Sequence, residues 1–147
     1  MQQKNVFTTG DTGITERVQL YDKQKFNRIT DLIFQSALKI HKYLGPGLLE
    51  KSYKECLFYD LIQNHNLKVE REKFLPISFE KLYIPDAYRI DLLVEDSIVL
   101  EIKSIRQLTP LDHAQLLSYL KLGNYRIGYL INFNQPLIKD GIKRLAL

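Results

Sequence analysis

The stretch IVLEIK, residues Ile98–Lys103, decides the predicted fold, because this apolar strand opens a strand-helix-strand unit. Pro110 starts a helix that extends to about Leu122. The near-continuous apolar segment Tyr125–Phe133 follows, and such a run is typical of an inner strand that is covered on both faces. Two strands joined by a helix in this way are parallel, with a right-handed crossover. The pattern therefore predicts an α/β core.

Two helices are predicted before this unit. Apolar residues recur at spacings of three and four from Asn27 onward, until Pro46 in the Gly45–Gly47 turn ends the helix. A second helix is predicted from about Leu48 to Asn64. The first apolar stripe comprises Ile29, Ile33, Ala37, Ile40 and Leu44, and the second comprises Leu49, Tyr53, Leu57 and Leu61.

The apolar period changes to two after the second helix. Lys68–Glu72, Phe74–Phe79 and Tyr88–Val94 are predicted strands that precede IVLEIK, and residues 138–147 could add a short edge strand. Together with the crossover unit, these strands form a mixed central sheet. We expect helices on both sides of this sheet, which gives an α/β (α+β) protein.

The length and composition limit the class of protein. A chain of 147 residues fits one domain. Residues 1–26 are polar and aperiodic, which predicts an N-terminal extension, flexible or packed late, outside a single domain of residues 27–147. Cys56 is the only cysteine, so no intrachain disulfide can form and a cytoplasmic location is favoured. No apolar run approaches the ~18 residues of a membrane span. The net charge of +4 suits a polyanionic partner such as nucleic acid.

Two charged residues interrupt the apolar strand Ile98–Lys103. Strand geometry places Glu101 and Lys103 on one face and the intervening isoleucine on the other. A buried carboxylate needs a salt bridge, an exposed sheet face or a metal ion to compensate for its lost hydration. Alone, this Glu-x-Lys pattern is a weak signal, more typical of an exposed strand end than of a site.

Asp91 is a second acid in an apolar strand, and its position depends on the turn that follows. If the loop Glu95–Ser97 contains three residues, Val94 opposes Ile98 and Asp91 stands opposite Glu101, at about 5 Å between side-chain bases. A two-residue loop would send the carboxylates to opposite faces. Two adjacent carboxylates repel unless a cation lies between them, and oxygen ligands suit Mg²⁺ or Mn²⁺ rather than zinc.

Three further residues are candidates with ordinary structural alternatives. Glu50 and Tyr53 share a face of the second helix, although a carboxylate at a helix start is also favoured by the helix dipole. Gln115 and Tyr119 share a face of the last helix, where a polar pair beside an apolar stripe is usually an amphipathic boundary.

Taken together, these residues resemble a known family. The pattern Gly47-x-x-Glu50-x-x-Tyr53, preceded by the segment from His41 to Pro46, resembles the signature of the small bacterial GxxExxY proteins. That family looks like a branch of the PD-(D/E)xK nuclease superfamily. The resemblance extends from about Asn27 to the C-terminus and implies a restriction-endonuclease-like core.

The resemblance also implies a role for each matching residue. Asp91, Glu101 and the backbone carbonyl of Ile102 would bind the metal ion, Mg²⁺ or Mn²⁺. Lys103 would orient or help activate the attacking water and stabilise charge on the phosphate. Glu50 would bind a second metal ion or a metal-bound water. Gln115 and Tyr119 look like the Q-x-x-x-Y element of recombination and repair nucleases, where they help to position the site and the strand.

One departure from the superfamily pattern concerns the aspartate. Asp91 follows Ile90, whereas a literal Pro85-Asp86 lies five residues earlier. An odd offset of five places Asp86 on the opposite face of a regular strand, so Asp91 is the predicted ligand, unless a bulge reverses the choice.

The sequence therefore predicts a Mg²⁺- or Mn²⁺-dependent DNA nuclease. A non-cleaving nucleic-acid-binding or complex-forming module on the same fold is the alternative, and a hydrolase acting on RNA or nucleotides would share the same site. The pattern leaves open whether the protein acts as a homodimer or in a larger complex.

Overall fold

The first helix is longer than its apolar pattern indicates. In the computed structural model, which describes residues 10–147, helix α1 spans Gly10–Leu44. The predicted start at Asn27 is therefore wrong. The reason is that the described side chains between residues 13 and 26 are mostly exposed, so this part of the helix has no buried stripe to give a period.

The chain separates into two compact units, Met1–Phe34 and Gln35–Leu147. The first unit is described from Gly10 onward as helix, and residues 1–9 of the predicted extension lie outside the described residues. The division into an extension of residues 1–26 and a domain of residues 27–147 stays a prediction. The second unit contains every strand found among residues 10–147 and every predicted site residue.

Helix α2, Glu50–Gln63, follows a tight turn in which Gly45 and Gly47 adopt positive φ angles of 69° and 96°. Its predicted stripe is confirmed for Tyr53, Leu57 and Leu61, which are fully buried. Leu49 is 79% exposed instead, because it precedes the first turn of the helix.

Five strands form one mixed sheet in the order β1-β2-β3-β4-β5. The strands are β1 Val69–Phe79, β2 Leu82–Val94, β3 Ile98–Lys103, β4 Ile127–Asn132 and β5 Ile142–Ala146. Strands β3 and β4 are parallel and connected by helix α3, Pro110–Gly123, as predicted. The other neighbours are antiparallel, and a short 3-10 helix, Ile138–Gly141, precedes β5.

Strands β1 and β2 are longer than predicted. The two expected segments of residues 68–79 are one strand, and β2 begins at Leu82 rather than Tyr88. The register between β1 and β2 shifts between Leu75 and Ile77, and prolines are tolerated at such an irregularity. Pairing with β3 is limited to Leu92–Val94, so Pro85 removes no hydrogen bond on that side.

Helices pack on both faces of the sheet, which confirms the predicted α+β architecture. Leu130 of β4 belongs to a core cluster with Leu116, Tyr119 and Leu120 of α3. Phe133 lies an odd number of residues further on and stacks on Tyr53 of α2, with 4.4 Å between ring centroids. None of the helices in the described part of the chain is both long and apolar enough to cross a membrane.

Candidate metal centre

The hairpin between β2 and β3 has the predicted geometry. Val94 pairs with Ile98, so the connecting loop Glu95–Ser97 contains three residues. Glu95 and Asp96 adopt positive φ angles of 51° and 56°, which allows this sharp reversal. The odd loop places Asp91 beside Glu101, as the sequence predicted.

At the end of the paired part of β2 and β3, carboxylate side chains instead of backbone carbonyls accept the hydrogen bonds between the two strands. Regular pairing ends at Leu92 and Leu100. Beyond it, the backbone N–H of Ile102 donates to Oδ2 of Asp91 at 2.8 Å, and the N–H of Asp91 donates to Oε1 of Glu101 at 3.1 Å. Each carboxylate thus accepts a hydrogen bond from the opposite strand and has a second oxygen to offer to a cation.

The two carboxylates are electrostatically unfavourable where they stand. Glu101 is 5% exposed, and burial together with the negative charge of Asp91 raises its pKa to about 8. Burial also raises the pKa of Asp91, although the hydrogen bond from Ile102 and the charge of Lys54 oppose this shift. A cation bound between these groups would favour their ionised forms.

Lys103 is the last residue of the segment Glu101-Ile102-Lys103, and its ammonium group forms an ion pair with Asp112 of α3. Its Nζ lies 3.5 Å from Oδ1 of Asp112, and both side chains are largely buried. The backbone N–H of Thr109 donates to Oδ2 of Asp112 at 2.7 Å, while Asp112 N–H donates to Thr109 Oγ1, so Asp112 also belongs to the capping box of α3. Sequence reasoning missed this role, although Thr109-Pro110-x-Asp112 is a recognisable capping pattern.

Glu50 reaches the same cluster from the start of α2. The N–H of Ser104, which follows Lys103, donates to Oε1 of Glu50 at 3.4 Å. The charge of Glu50 contributes to the raised pKa values of both Asp91 and Glu101. The structure therefore brings three carboxylates from two sheet strands and one helix near each other.

Gln115 and Tyr119 lie beside the carboxylates on α3. Tyr119 is buried, its ring packs against that of Tyr88 with 5.4 Å between ring centroids, and Gln115 lies about one helical turn before it in α3. Burial and the charges of Glu101 and Asp91 raise the pKa of Tyr119 to about 12. The hydroxyl therefore stays protonated and can act as a hydrogen-bond donor near the cluster.

Lys54 is a further neighbour that sequence reasoning missed. Its Nζ lies 2.9 Å from Oε1 of Glu72 and 4.0 Å from Oδ1 of Asp91, and its side chain is 11% exposed. The available signal was its spacing of four residues from Glu50, which places both on one helix face.

The Pro85-Asp86 pair does not take part in the contacts between the carboxylates of β2 and β3, which involve Asp91. Asp86 is exposed and lies where the pairing of β1 and β2 is irregular. The bulge that could have reversed the choice is present, yet Asp91 is the aspartate that contacts Glu101.

The donor set fits a hard, partly hydrated cation. Among residues 10–147, no group of three or more His, Cys, Asp or Glu side chains is arranged so that it could hold a metal ion by itself. Two carboxylates and a backbone carbonyl suffice for Mg²⁺, which usually keeps several water ligands. Asp91, Glu101 and the carbonyl of Ile102 could supply such a set.

Comparisons with known proteins agree with this architecture. A family model described as the PD-(D/E)XK nuclease superfamily matches residues 27–145, which is most of the chain. No curated protein and no solved structure matches it. The matched range contains strands β1 to β4 and nearly all of β5, together with α2 and α3. The chain belongs to the PD-(D/E)XK nuclease superfamily, and its mixed sheet with flanking helices is the restriction-endonuclease-like core of that superfamily.

Proposed function

We propose that this protein is a metal-dependent phosphodiester hydrolase that cleaves DNA with Mg²⁺ or Mn²⁺. The observation that carries the proposal is the crossed pair of carboxylates, Asp91 and Glu101, beside Lys103 at the end of β3. This arrangement lies within the range that matches the nuclease superfamily. A binding module would not need two mutually repelling carboxylates, one buried and one partly buried, next to an ammonium group.

Asp91, Glu101 and the carbonyl of Ile102 would hold the cation. When bound, such an ion polarises the phosphate and lowers the pKa of a coordinated water. Lys103 would orient the attacking water and stabilise negative charge on the phosphate. Asp112 holds the Lys103 ammonium group at 3.5 Å, which restricts the lysine side chain to this side of the sheet.

Glu50, Gln115 and Tyr119 would surround the reacting group. Glu50 is placed by the first turn of α2 and the N–H of Ser104, from where its carboxylate can accept a hydrogen bond from a metal-bound water. Tyr119 is oriented by its burial in the core and by the contact of its ring with Tyr88. It would donate a hydrogen bond to the phosphate backbone.

We also propose that the chain belongs to the GxxExxY branch, because its motif residues have clear tasks here. Gly45 and Gly47 form the turn before α2, at φ angles that favour glycine. The hydroxyl of Tyr53 donates to the carbonyl of Gly45 at 2.6 Å and accepts from the N–H of Leu48 at 3.1 Å. Together these contacts place Glu50 at the edge of the carboxylate cluster.

Exposed cations and aromatic rings near the site support a nucleic acid substrate. Arg89 is about half exposed, and the adjacent Tyr88 links the outer part of β2 to Tyr119. Arginine contacts phosphate, and aromatic rings stack on bases. We propose DNA as the substrate, in a cytoplasmic protein that acts alone, as a homodimer or within a larger complex.

The test is cleavage of labelled single- and double-stranded DNA by the purified chain with Mg²⁺, Mn²⁺ or a chelator. Asp91→Asn, Glu101→Gln and Lys103→Ala should each lose at least about a hundredfold in rate, as expected for removal of a residue that stabilises developing charge. Asp86→Asn is the matched control, because Asp86 lies on the same strand and is exposed.

Cleavage that persists in excess chelator would refute the metal mechanism. An Asp86→Asn variant as impaired as Asp91→Asn would refute the assignment of the ligand. Binding of DNA by wild type without cleavage under any of these conditions would favour the non-cleaving module instead.

A further inference from the structure

We infer that Asn132 is a positioning residue of the site, because it fixes the segment that connects Lys103 of β3 to Glu50 of α2. The inference rests on the proposed function, since it concerns how the same site is held together. Asn132 is the last residue of β4 and is only 1% exposed. A buried amide is costly unless its polar atoms are hydrogen-bonded, so its partners indicate what it stabilises.

The side chain of Asn132 continues the pairing of β3 and β4 beyond the last backbone pair. Lys103 is the partner of Asn132 in the parallel register, and the Lys103 carbonyl accepts from the N–H of Phe133 at 2.9 Å. Two residues further along the chain, the N–H of Ile105 donates to Asn132 Oδ1 at 3.1 Å, and the Ile105 carbonyl accepts from Nδ2 at 2.9 Å. Both neighbours of Ser104 are therefore fixed to the end of β4.

Ser104 connects this fixed segment to the start of α2. Its N–H donates to Oε1 of Glu50 at 3.4 Å, and its hydroxyl donates to the carbonyl of Leu48. The N–H of Leu48 in turn donates to the hydroxyl of Tyr53 at 3.1 Å. Ser104 thus holds the turn before α2 as well as the Glu50 side chain, and its own position is set by the residues on either side.

The consequence concerns the spacing between the two parts of the site. The carboxylate pair and Lys103 lie on sheet strands, whereas Glu50 lies on a helix. Backbone pairing of β3 with β4 ends at Lys103, so it does not set where Ser104 lies. An apolar side chain at position 132 would leave the N–H and the carbonyl of Ile105 without these bonds. The Asn132 amide is therefore the contact through which β4 determines the spacing between Glu50 and Lys103.

The first test follows amide hydrogen exchange by mass spectrometry in the metal-free chain, so it does not depend on cleavage. Asn132→Ala should speed exchange severalfold at residues 103–106 and also at residues 48–52. The second segment is the informative one, because within residues 10–147 the Asn132 side chain bonds only Ile105 and Asn134. A purely local role would leave exchange at the start of α2 unchanged.

Two further variants sharpen this comparison. Ser104→Ala removes the hydroxyl that bonds Leu48 and should speed exchange at residues 48–52. Ser36→Ala is the matched control, because it removes a buried hydroxyl that donates to Asp60 at 2.6 Å. It should leave exchange at residues 48–52 and 103–106 as in wild type.

The second test measures cleavage. Asn132→Ala should lower the single-turnover rate at saturating DNA and Mg²⁺ by about tenfold or more, as expected for a misplaced catalytic group. The affinity for DNA in chelator should stay near that of wild type, and Ser36→Ala should keep the wild-type rate. A chain that carries both Asn132→Ala and Ser104→Ala should cleave hardly more slowly than Asn132→Ala alone, because the two residues act through one segment.

The outcomes separate this inference from the proposed function. Exchange that rises in Asn132→Ala only near residues 105 and 134 would overturn the inference and leave the nuclease proposal standing, as would an unchanged cleavage rate. A wild type that never cleaves DNA would refute the proposed function, while the exchange data still decide whether Asn132 positions the start of α2. If Asn132→Ala fails to fold, Asn132→Asp replaces it, because it keeps the size and the acceptor but loses the donor to Ile105. Unchanged exchange at residues 48–52 in that variant would equally overturn the inference.

Discussion

Asp91 and Glu101 hold each other in place through the backbone of the opposite strand. Ile102 N–H donates to Asp91, and Asp91 N–H donates to Glu101, where the regular pairing of β2 and β3 has ended. The same contacts bring together the buried carboxylate of Glu101 and the partly buried carboxylate of Asp91. In the absence of metal, the fold therefore stabilises an arrangement that electrostatics disfavours, and several measurable consequences follow.

The metal-free protein should lose stability as pH rises from about 4.5 to about 8. The pKa of Glu101 is raised from its usual 4.5 to about 8 in the folded state, first by burial and then by Asp91. Within that window the folded chain binds more protons than the unfolded chain, so the free energy of unfolding falls as pH increases.

Thermal melts in chelator across this pH range measure the effect. The comparison with Glu101→Gln isolates it, because other carboxylates titrate equally in both proteins. The difference in melting temperature, wild type minus variant, should decline from pH 4.5 to 8. A difference that grows with pH would contradict the raised pKa.

Metal should stabilise wild type and have little effect on Glu101→Gln. Lys103 pairs with Asp112, so the substitution leaves that ion pair intact and removes like-charge repulsion with Asp91. At pH 8 the metal-free variant should be at least as stable as wild type. A ligand at a hundred times its Kd adds about 2.7 kcal/mol of stability, and wild type should gain on that order in saturating Mg²⁺. A clearly destabilised variant, with a wild type indifferent to metal, would point to a structural carboxylate.

Much of the site could be predicted from local patterns. The number of residues in the loop Glu95–Ser97 determines whether Asp91 lies on the same face of the sheet as Glu101 in the strand Ile98–Lys103. The structure confirms a loop of three residues, which places the two carboxylates side by side. The parallel pairing of β3 and β4 follows from the helix between them.

The remaining features depend on tertiary contacts that have no local signature. The exposed first half of α1 lacks a buried stripe, so its helical period is invisible. Lys54 resembles any surface lysine until pairing of β1 with β2 places Glu72 and Asp91 before it. Asp112 similarly acquires its second partner only when α3 packs beside the end of β3.

Asp112→Asn should reduce cleavage more than its loss of stability explains. Asp112 both caps α3 and holds the ammonium group of Lys103. Thr109→Ala removes the capping hydroxyl but leaves the carboxylate for Lys103, so it is the matched control. Each variant should cost about 1 kcal/mol in unfolding free energy, as is typical for a lost cap.

The two variants should differ in the rate of cleavage at saturating DNA, which only Asp112→Asn should lower by about tenfold or more, in line with a misplaced catalytic group. Urea denaturation and single-turnover cleavage measure the two quantities. Equal rates in the two variants would show that Asp112 acts on α3 alone.

Gly128→Ala should destabilise the chain although it only adds a methyl group. A Cβ at Gly128 would lie 2.9 Å from Cδ1 of Leu116 and 3.1 Å from Cδ2 of Leu120, both in the core between β4 and α3. Overpacking of a filled core typically costs about 1–3 kcal/mol. Urea denaturation should show a loss in this range. Gly13→Ala is the control, since a Cβ there meets nothing within 4 Å, and a loss as large as that of Gly128→Ala would contradict the packing argument.

Tyr53→Phe should impair the site while leaving the core packed. The variant keeps the ring that stacks on Phe133 but loses the hydroxyl that bonds Gly45 and Leu48. Because water can partly replace these bonds, we expect a loss of about 1 kcal/mol in unfolding free energy. A looser turn would also leave Glu50 less well placed, so cleavage should fall further than stability does. Tyr59→Phe is the control, because Tyr59 is 64% exposed on the same helix. If both variants cleave DNA at the wild-type rate, then the tyrosine of the Gly-x-x-Glu-x-x-Tyr pattern contributes through its ring alone.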